Sequence, residues 1–340
     1  KGEYVKRDIT KAIHYFLLAA NQNDIDAQFN LGIIYYEGKY IQRDINKAIY
    51  YLSLAADQNY PNAQFNLAII YMKGEYIQRD VNKAIHYYSL AANQNHSSAQ
   101  FNLALFYFQE DQRDINKAIH YFLLAANQNN SAALFHLGVI YERNEFVRRD
   151  IDRLIHYYSL AANLNNIDAQ LALGSIYEEG QLVKRNIDKS IQYYLLAVNQ
   201  NNSYAMYKLG LIYERGEYIE HDINKAIHYY SLAADLNNIN AQLALGSIYE
   251  RGEYVALDID KAIQYYLLAA NQNNSHAQFK LGFIYYNSRY AHVDINKAIH
   301  YFSLASNQDD SNDTNKITKK KYKIKNKKPF LKQSDTTLHF

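Results

Sequence analysis

The chain repeats one stretch of thirteen residues, and this repetition constrains the fold more than any other feature. One copy is Asp222-Ile-Asn-Lys-Ala-Ile-His-Tyr-Tyr-Ser-Leu-Ala-Ala234, and successive copies begin 36 residues apart, except for one step of 34. A period of about 20 to 50 residues is the signature of a solenoid, in which each unit buries its apolar face only against its neighbours. The copies begin at Asp8, Asp44, Asp80, Asp114, Asp150, Asn186, Asp222, Asp258 and Asp294.

Each copy is predicted to form a helix, which we call the Asp-led helix. Asp222 supplies an oxygen for the unpaired amide groups of the first turn and a negative charge at the positive end of the helix dipole. Asn186 replaces the Asp once and can cap equally well. Apolar residues then recur at steps of three and four, which indicates one buried face. They are Ile223, Ala226, Ile227, Tyr230, Ala233 and Ala234.

A second, shorter helix is predicted between successive Asp-led helices, as in Ala27-Gln-Phe-Asn-Leu-Gly-Ile-Ile-Tyr-Tyr-Glu-Gly38. We call it the Ala-led helix and count its positions from that alanine. Gly32, at the sixth position, is small enough to let a neighbouring helix approach closely. Left-handed backbone is expected at the closing glycine and in the asparagine-rich turn after each Asp-led helix. The closing glycines are Gly38, Gly74, Gly180, Gly216 and Gly252.

The alternation of these helices divides the chain into one solenoid and one tail. Short connections make neighbouring helices antiparallel, so the sequence predicts an all-α solenoid over residues 1–307, with eight helix pairs and a leading helix. Residues 308–340 are predicted to be a disordered basic tail, because high charge without apolar periodicity is typical of disorder. Lys316 to Phe340 holds nine lysines and one acid, so it carries +8 in a chain of net charge +2.

The two parts of the repeat form a pattern with fixed spacing. Ala-x-x-x-Leu-Gly-x-x-Tyr-x-x-Gly, then Asp-x-x-Lys-Ala-x-x-Tyr-x-x-x-Ala-Ala, is present from Ala27 to Ala56 and again from Ala241 to Ala270. This pattern resembles the Sel1-like repeat family, a relative of the tetratricopeptide repeats. The resemblance implies a right-handed α/α superhelix that acts as an adaptor for protein complexes, including signalling and endoplasmic-reticulum quality-control assemblies.

The sequence contains none of the common catalytic motifs. It has no cysteine, which excludes disulfides, cysteine nucleophiles and thiolate metal sites. It also has no phosphate-binding Gly-Lys-Ser/Thr loop, no Gly-x-Ser-x-Gly elbow and no His-Glu-x-x-His pair. We therefore expect neither enzyme activity nor a cofactor.

Histidines and tyrosines recur in fixed registers and are interpreted as packing. Packed helices lie about 8 to 10 Å apart, whereas zinc needs each coordinating nitrogen within about 2.1 Å of the ion. Histidines at the same position of successive helices therefore cannot share a metal ion without a further ligand, and no metal site is predicted. The histidines are His14, His86, His120, His156, His228 and His300. Tyrosine is invariant at the ninth position of the Ala-led helix and at the eighth of the Asp-led helix, which predicts that both sets lie in the packed core.

Partner binding is expected at positions that vary between repeats and face away from the packed side. The fourth and eleventh positions of the Ala-led helix lie together at about 100° per residue, and we call them the variable stripe. Toward the C-terminal half the stripe becomes basic, which predicts binding of an acidic or extended peptide. The predicted partner-binding residues are His136, Arg143, Lys208, Arg215, Arg251 and Lys280.

The tail offers a second binding element. Its lysine run could act as a nuclear import signal or as an arm for nucleic acid or anionic lipid. The alternative is a solubilising end without a partner. The lysines are Lys319, Lys320, Lys321, Lys323, Lys325, Lys327 and Lys328.

The leading functional hypothesis is a monomeric, cytoplasmic, non-enzymatic scaffold that binds a protein or peptide in the concave groove of the solenoid. No apolar run approaches the roughly 18 residues that a membrane-spanning helix needs. A first alternative is the C-terminal regulatory or targeting arm of a larger enzyme, such as a protein kinase, since no Ala-led helix precedes the first helix to cover Ile9, Ile13 and Phe16. A second is an adaptor in the endoplasmic-reticulum lumen, which the five glycosylation sequons would suit.

Overall fold

The described part of the chain consists of α-helices and the turns between them. The computed structural model describes residues 9–109, 114–143, 147–287 and 293–308. These ranges contain seventeen helices and no strand, as the sequence predicts. The helices are α1 (Ile9–Ala20), α2 (Ile25–Glu37), α3 (Ile45–Asp57), α4 (Pro61–Lys73), α5 (Val81–Asn93), α6 (Ser97–Gln109), α7 (Ile115–Ala126), α8 (Ser131–Glu142), α9 (Ile151–Asn163), α10 (Ile167–Glu179), α11 (Ile187–Val198), α12 (Ser203–Arg215), α13 (Ile223–Asp235), α14 (Ile239–Arg251), α15 (Ile259–Asn271), α16 (Ser275–Tyr286) and α17 (Ile295–Gln308).

The odd-numbered helices are the Asp-led helices, and the even-numbered helices are the Ala-led helices. The prediction that the Ala-led helix is shorter is wrong, because α2 and α3 both contain 13 residues. Asp24 accepts a hydrogen bond of 2.7 Å from the Ala27 amide and so allows α2 to begin two residues before that alanine. Asparagine forms the same cap at Asn130, Asn166, Asn202, Asn238 and Asn274.

The chain divides into two compact units, Lys1–Tyr193 and Tyr194–Phe340. Unit 1 contains α1 to α10 and the first part of α11, and unit 2 contains the rest of α11 and α12 to α17. Within each unit, the most extensive packing joins an Ala-led helix to the Asp-led helix that follows it. The helix pair is therefore the structural repeat, as the sequence predicts.

The predicted caps of the Asp-led helices are confirmed wherever the chain is described. The Asp222 carboxylate accepts a hydrogen bond of 2.9 Å from the Lys225 amide. This bond lowers the pKa of Asp222 below its ordinary value. Asp8 lies outside the described residues. The other caps are Asp44, Asp80, Asp114, Asp150, Asn186, Asp258 and Asp294.

The turn after each Asp-led helix uses an asparagine in left-handed backbone, which confirms the prediction. Asn237 has φ of 60°, and its neighbour Asn238 then caps α14 by accepting the Ala241 amide at 3.0 Å. The first asparagine thus adopts the left-handed backbone of the turn, and the second caps the next helix. The left-handed asparagines are Asn23, Asn59, Asn95, Asn129, Asn165, Asn201, Asn237 and Asn273. The closing glycines are also left-handed, at Gly38, Gly74, Gly180, Gly216 and Gly252.

The core of each repeat is an aromatic or leucine side chain packed on a small residue. Tyr230 of α13, the ninth residue counted from the capping Asp222, is fully buried. A Cβ added to Gly210 of α12 would lie 2.5 Å from the Tyr230 ring, so the glycine is what allows the ring to enter. Burial of one such side chain is worth roughly 1.5 to 3 kcal/mol. The equivalent buried residues are Leu52, Tyr88, Phe122, Tyr158, Tyr194, Tyr266 and Phe302.

Buried glutamines join successive repeats, a feature that the sequence analysis missed. Gln64 of α4 donates to the Ala56 carbonyl at 3.2 Å and accepts from Gln94 at 2.8 Å. The same pair forms at Gln28–Gln58, Gln100–Gln128 and Gln242–Gln272. Where the first glutamine becomes apolar the second does too, as in Leu134 with Leu164 and Met206 with Leu236. Replacing both partners avoids leaving a buried polar group unpaired.

We expect Asn237→Ala to destabilise unit 2 by about 1 to 2 kcal/mol, because alanine pays the full cost of left-handed backbone. Asn237→Gly is the matched control and should retain stability, since glycine adopts positive φ freely. The urea midpoint of the full chain, followed by circular dichroism, measures both variants. Equal destabilisation by alanine and glycine would contradict the backbone explanation.

Candidate functional site

The eleventh position of the Ala-led helix presents arginine to solvent. Arg143 follows the last residue of α8, Arg215 ends α12 and Arg251 ends α14, and all three are exposed. Within the described ranges, no carboxylate forms an ion pair with Arg215 or Arg251. These side chains can therefore meet a partner without first breaking an internal salt bridge.

The fourth position is only half exposed, because its side chains rest on the buried aromatic residues. The Nζ atom of Lys208 lies 5.9 Å from the centre of the Tyr194 ring, and Lys280 lies 5.9 Å from that of Tyr266. His136 stacks on Phe122 with ring centres 5.3 Å apart. These residues belong to the packing as well as to the variable stripe, which the helical count alone does not reveal.

Burial changes the chemistry of His136. Desolvation lowers its pKa below the ordinary value, so the ring is neutral at physiological pH. Its Nδ1 atom is buried without a hydrogen-bond partner among the described residues. His136 is thus placed to pack on aromatic rings, whereas a charged contact with an acidic peptide is disfavoured there.

A row of glutamates lies beneath the variable stripe, at the tenth position of the Ala-led helix. The Tyr158 hydroxyl donates to Glu142 at 2.7 Å, Tyr230 to Glu214 at 2.5 Å and Tyr266 to Glu250 at 2.7 Å. The desolvation of these rings, together with the neighbouring carboxylates, raises the pKa of each tyrosine far above its ordinary value. The sequence analysis missed these pairs, although glutamate recurs at this position in four consecutive repeats.

Lys280 is neutralised within unit 2. Its Nζ lies 2.9 Å from Oε2 of Glu250, the same oxygen that accepts the Tyr266 hydroxyl. Only 29% of the Lys280 side chain and 9% of the Glu250 side chain are exposed. A half-buried ion pair of this kind is screened less than a surface pair, so Lys280 contributes little free charge to the stripe.

A cleft opens in unit 1 between α8 and α10. It has a volume of about 310 Å³. Its lining includes Glu142 from α8, Ala172, Ser175 and Glu179 from α10, and Arg149 from the loop between α8 and α9. The Ser175 hydroxyl donates to Glu179 at 2.8 Å, and Arg149 Nε donates to the Glu142 carbonyl at 3.0 Å. The cleft therefore holds two carboxylates and one guanidinium.

The invariant tyrosines form stacked pairs between an Ala-led helix and the next Asp-led helix. Tyr213 and Tyr229 have ring centres 5.8 Å apart and planes inclined by 7°, and the Lys225 ammonium lies 5.1 Å from the Tyr213 ring. The predicted packing is confirmed. The placement in the core is right for Tyr141, Tyr177 and Tyr285, which are buried, and wrong for the others, which are half-buried or, like Tyr15 at 67%, exposed. In the Asp-led helix α13, the fully buried ring is that of Tyr230, the residue after Tyr229.

The histidine ladder lies on the exposed side of the Asp-led helices. Each ring meets the edge of the following tyrosine, as His228 does with Tyr229 at 5.3 Å between ring centres. In the described part of the chain, no three His, Cys, Asp or Glu side chains are grouped as metal ligands. The six histidines are therefore placed as surface neighbours of the tyrosine pairs.

The basic tail lies outside the described residues, so its lysines, Lys319 to Lys328, stay a prediction. The boundary at residue 307 and the monomeric state are untested as well. None of the described helices is long and apolar enough to cross a membrane.

Nine consecutive segments of the chain match the model of the Sel1 repeat. From the second segment onward, each holds one Ala-led and one Asp-led helix. The chain belongs to the Sel1 repeat family. This confirms the resemblance seen in the sequence, and Sel1 repeat proteins commonly act as protein interaction scaffolds. The segments are residues 1–24, 25–60, 61–96, 97–130, 131–166, 167–202, 203–238, 239–274 and 275–310.

Two solved structures show the same fold. A protective antigen of uropathogenic Escherichia coli that displays an SLR fold matches with a TM-score of 0.74 and 28% identity, over 88% of this chain and 64% of that one. This Sel1 repeat chain thus spans just under two thirds of that antigen. A Sel1 repeat protein from Oxalobacter formigenes matches with a TM-score of 0.66 and 31% identity, over 80% of each chain. No curated protein matches the chain.

We expect this Sel1 repeat chain to lose stability above pH 10, because Tyr158, Tyr230 and Tyr266 keep their protons when folded. Their folded pKa values are raised above the ordinary 10.0. Their stabilisation is complete below pH 10 and then falls by about 1.4 kcal/mol per pH unit for each tyrosine.

Urea midpoints at pH 9 and pH 11 measure this dependence. Tyr230→Phe should lose less stability between the two values than the wild type. Tyr50→Phe changes a surface ring and should keep the wild-type dependence. An unchanged pH dependence in Tyr230→Phe would contradict the role of the buried hydroxyl.

Proposed function

We propose that this chain is a non-enzymatic scaffold that binds a partner protein through the variable stripe of its Ala-led helices. Membership of the Sel1 repeat family supports this role, because proteins of this family bind protein partners. A solenoid presents the same backbone in every repeat, so the positions that vary are the ones that can distinguish partners. The stripe meets this condition while the buried positions around it stay nearly constant.

The observation that carries the proposal is the exposure of arginine in the stripe of unit 2. Arg215 and Arg251 occupy the same position in successive Ala-led helices, and both are exposed and unpaired by carboxylates of the described residues. A guanidinium binds a carboxylate through two parallel hydrogen bonds, which gives both affinity and orientation. The partner segment is accordingly acidic and extended.

Lys280 and His136 have a different role in the variable stripe. Lys280 is paired with Glu250, and His136 is packed among aromatic rings. We assign these two residues to the shape of the surface and assign the recognition of acidic groups to the arginines.

We expect the double variant Arg215→Gln and Arg251→Gln to bind the partner about tenfold or more weakly, because each lost charged hydrogen bond is worth about 1.5 to 3 kcal/mol. Affinity capture by the full chain from its source cells, with mass spectrometry, identifies candidates. The affinity of each purified candidate is then measured for both forms. Increasing salt should weaken the wild-type complex more than the variant complex.

The matched control is the double variant Arg148→Gln and Lys184→Gln, which removes the same charge from exposed loop residues of unit 1. It should keep the wild-type affinity. If the two double variants lose affinity equally, the partner responds to net charge alone and the stripe is not its binding site. If no partner is captured by any form, the scaffold proposal itself is contradicted.

A further inference from the structure

The four glutamates at the tenth position of the Ala-led helices are followed by different residues thirty positions later. Each glutamate at the tenth position is followed, thirty residues later, by the fourth position of the next Ala-led helix. That position alternates between alanine and lysine in the four consecutive repeats that carry glutamate. The combinations are Glu142 with Ala172, Glu178 with Lys208, Glu214 with Ala244, and Glu250 with Lys280.

The pair of Glu250 with Lys280 shows what this carboxylate binds when a lysine is present. The ammonium lies 2.9 Å from Oε2 of Glu250, and that oxygen also accepts the Tyr266 hydroxyl. The same ammonium lies 5.9 Å from the centre of the Tyr266 ring. The Glu250 carboxylate and the hydroxyl and ring of Tyr266 together form a binding site for a lysine side chain, which we call the lysine site.

The same lysine site is present in unit 1, but an alanine stands there at the position of Lys280. The Tyr158 hydroxyl holds Glu142 Oε2 at 2.7 Å, as Tyr266 holds Glu250. Ala172 occupies the position of Lys280, and the cleft of about 310 Å³ opens there. Within the described part of the chain, Glu142 forms no ion pair with a basic side chain. The carboxylate is thus oriented by the fold and accessible from the cleft.

The charge of the cleft favours a cation. Glu142 and Glu179 contribute two negative charges, and Arg149 contributes one positive charge. The Arg149 guanidinium is engaged through Nε with the Glu142 carbonyl, so it holds the loop in place. The net charge of the lining is −1, which one ammonium group would neutralise.

We propose that the cleft between α8 and α10 binds a lysine side chain of a partner protein. The ammonium pairs with Glu142 and lies near the Tyr158 ring, as the Lys280 ammonium pairs with Glu250 and lies 5.9 Å from the centre of the Tyr266 ring. This assignment rests on the proposed scaffold function and adds a chemical requirement to it, since the partner segment presents a lysine as well as acidic groups. Unit 2 repeats the tyrosine–glutamate hydrogen bond at Tyr230 and Glu214, with Ala244 at the fourth position of the next Ala-led helix.

The first test uses two peptides, acetyl-Ala-Ala-Ala-Lys-Ala-Ala-Ala-amide and the same peptide with norleucine in place of lysine. The full chain is labelled with ¹³C in its alanine methyl groups, and the Ala172 signal is assigned by its loss in Ala172→Ser. The lysine peptide should shift this signal to saturation. The norleucine peptide should bind about tenfold or more weakly, because it lacks the charged hydrogen bond.

Variants of the full chain separate the ion pair from simple filling of the cleft. Glu142→Gln keeps an acceptor for the Tyr158 hydroxyl but removes the charge, and it should weaken the lysine peptide about tenfold. Equal binding of the lysine and norleucine peptides, or no shift of the Ala172 signal, would overturn the proposal. Replacing the seven lysines between Lys319 and Lys328 by glutamine tests the chain's own tail as the occupant. A gain of more than about tenfold in peptide affinity would assign the cleft to the tail and overturn the partner assignment.

The second test places a lysine of the chain itself at the cleft. We expect Ala172→Lys to recreate the pair seen between Glu250 and Lys280, to raise the melting temperature by about 1 to 3 °C, and to abolish binding of the lysine peptide. Ala172→Met supplies a similar stem without the ammonium and should not reach the same melting temperature. A lower melting temperature for Ala172→Lys than for Ala172→Met would contradict the inferred geometry.

The same variant distinguishes this inference from the scaffold function. If Ala172→Lys loses the partner that the wild type captures, the cleft belongs to the binding surface. If the partner binds Ala172→Lys as tightly as the wild type but is lost from the variant lacking Arg215 and Arg251, the scaffold function stands and the lysine site is wrong.

Discussion

The packing of a buried aromatic or leucine side chain on a small residue is the interaction on which the rest of the repeat depends. Gly210 lets the Tyr230 ring enter between the helices, and a single added methyl group would lie 2.5 Å from it. A buried hydroxyl must find an acceptor, because an unpaired polar group costs about 1 to 3 kcal/mol. Glu214 supplies that acceptor. At Tyr158, Tyr230 and Tyr266, the buried hydroxyl is thus paired with a carboxylate at the tenth position of the Ala-led helix.

This coupling explains how a solenoid with nearly constant repeats can present different chemistry along one face. The tyrosine–glutamate pair is the same at Glu142 and Glu250, while the fourth position of the next Ala-led helix decides what meets the carboxylate. Lys280 neutralises Glu250, whereas Ala172 leaves Glu142 beside a cleft. One small substitution therefore changes charge and shape together without disturbing the core, because the side chain at this position is only half-buried.

Local backbone chemistry was predictable because its cause lies within a few residues. The cap at Asp222, the left-handed turn at Asn237 and the closing Gly216 each follow from the residue's own preference and its nearest neighbours. Contacts across thirty residues were not predictable in this way. The bond between Gln64 and Gln94 leaves a signal only in the joint replacement of both residues elsewhere in the chain. A helical count also cannot tell a half-buried tyrosine from the fully buried one beside it.

The sequence by itself determined the helices, their caps and turns, and the solenoid, because a fixed period with a buried face on each helix admits few other solutions. It also identified the variable stripe as the part free to differ. Only the tertiary structure decided which stripe residues keep their charge, since that depends on neighbours one repeat away. Arg215 has no such carboxylate partner among the described residues, Lys280 has Glu250, and Ala172 leaves room beside Glu142. These differences arise from distances between side chains on separate helices, which no single stretch of the chain encodes.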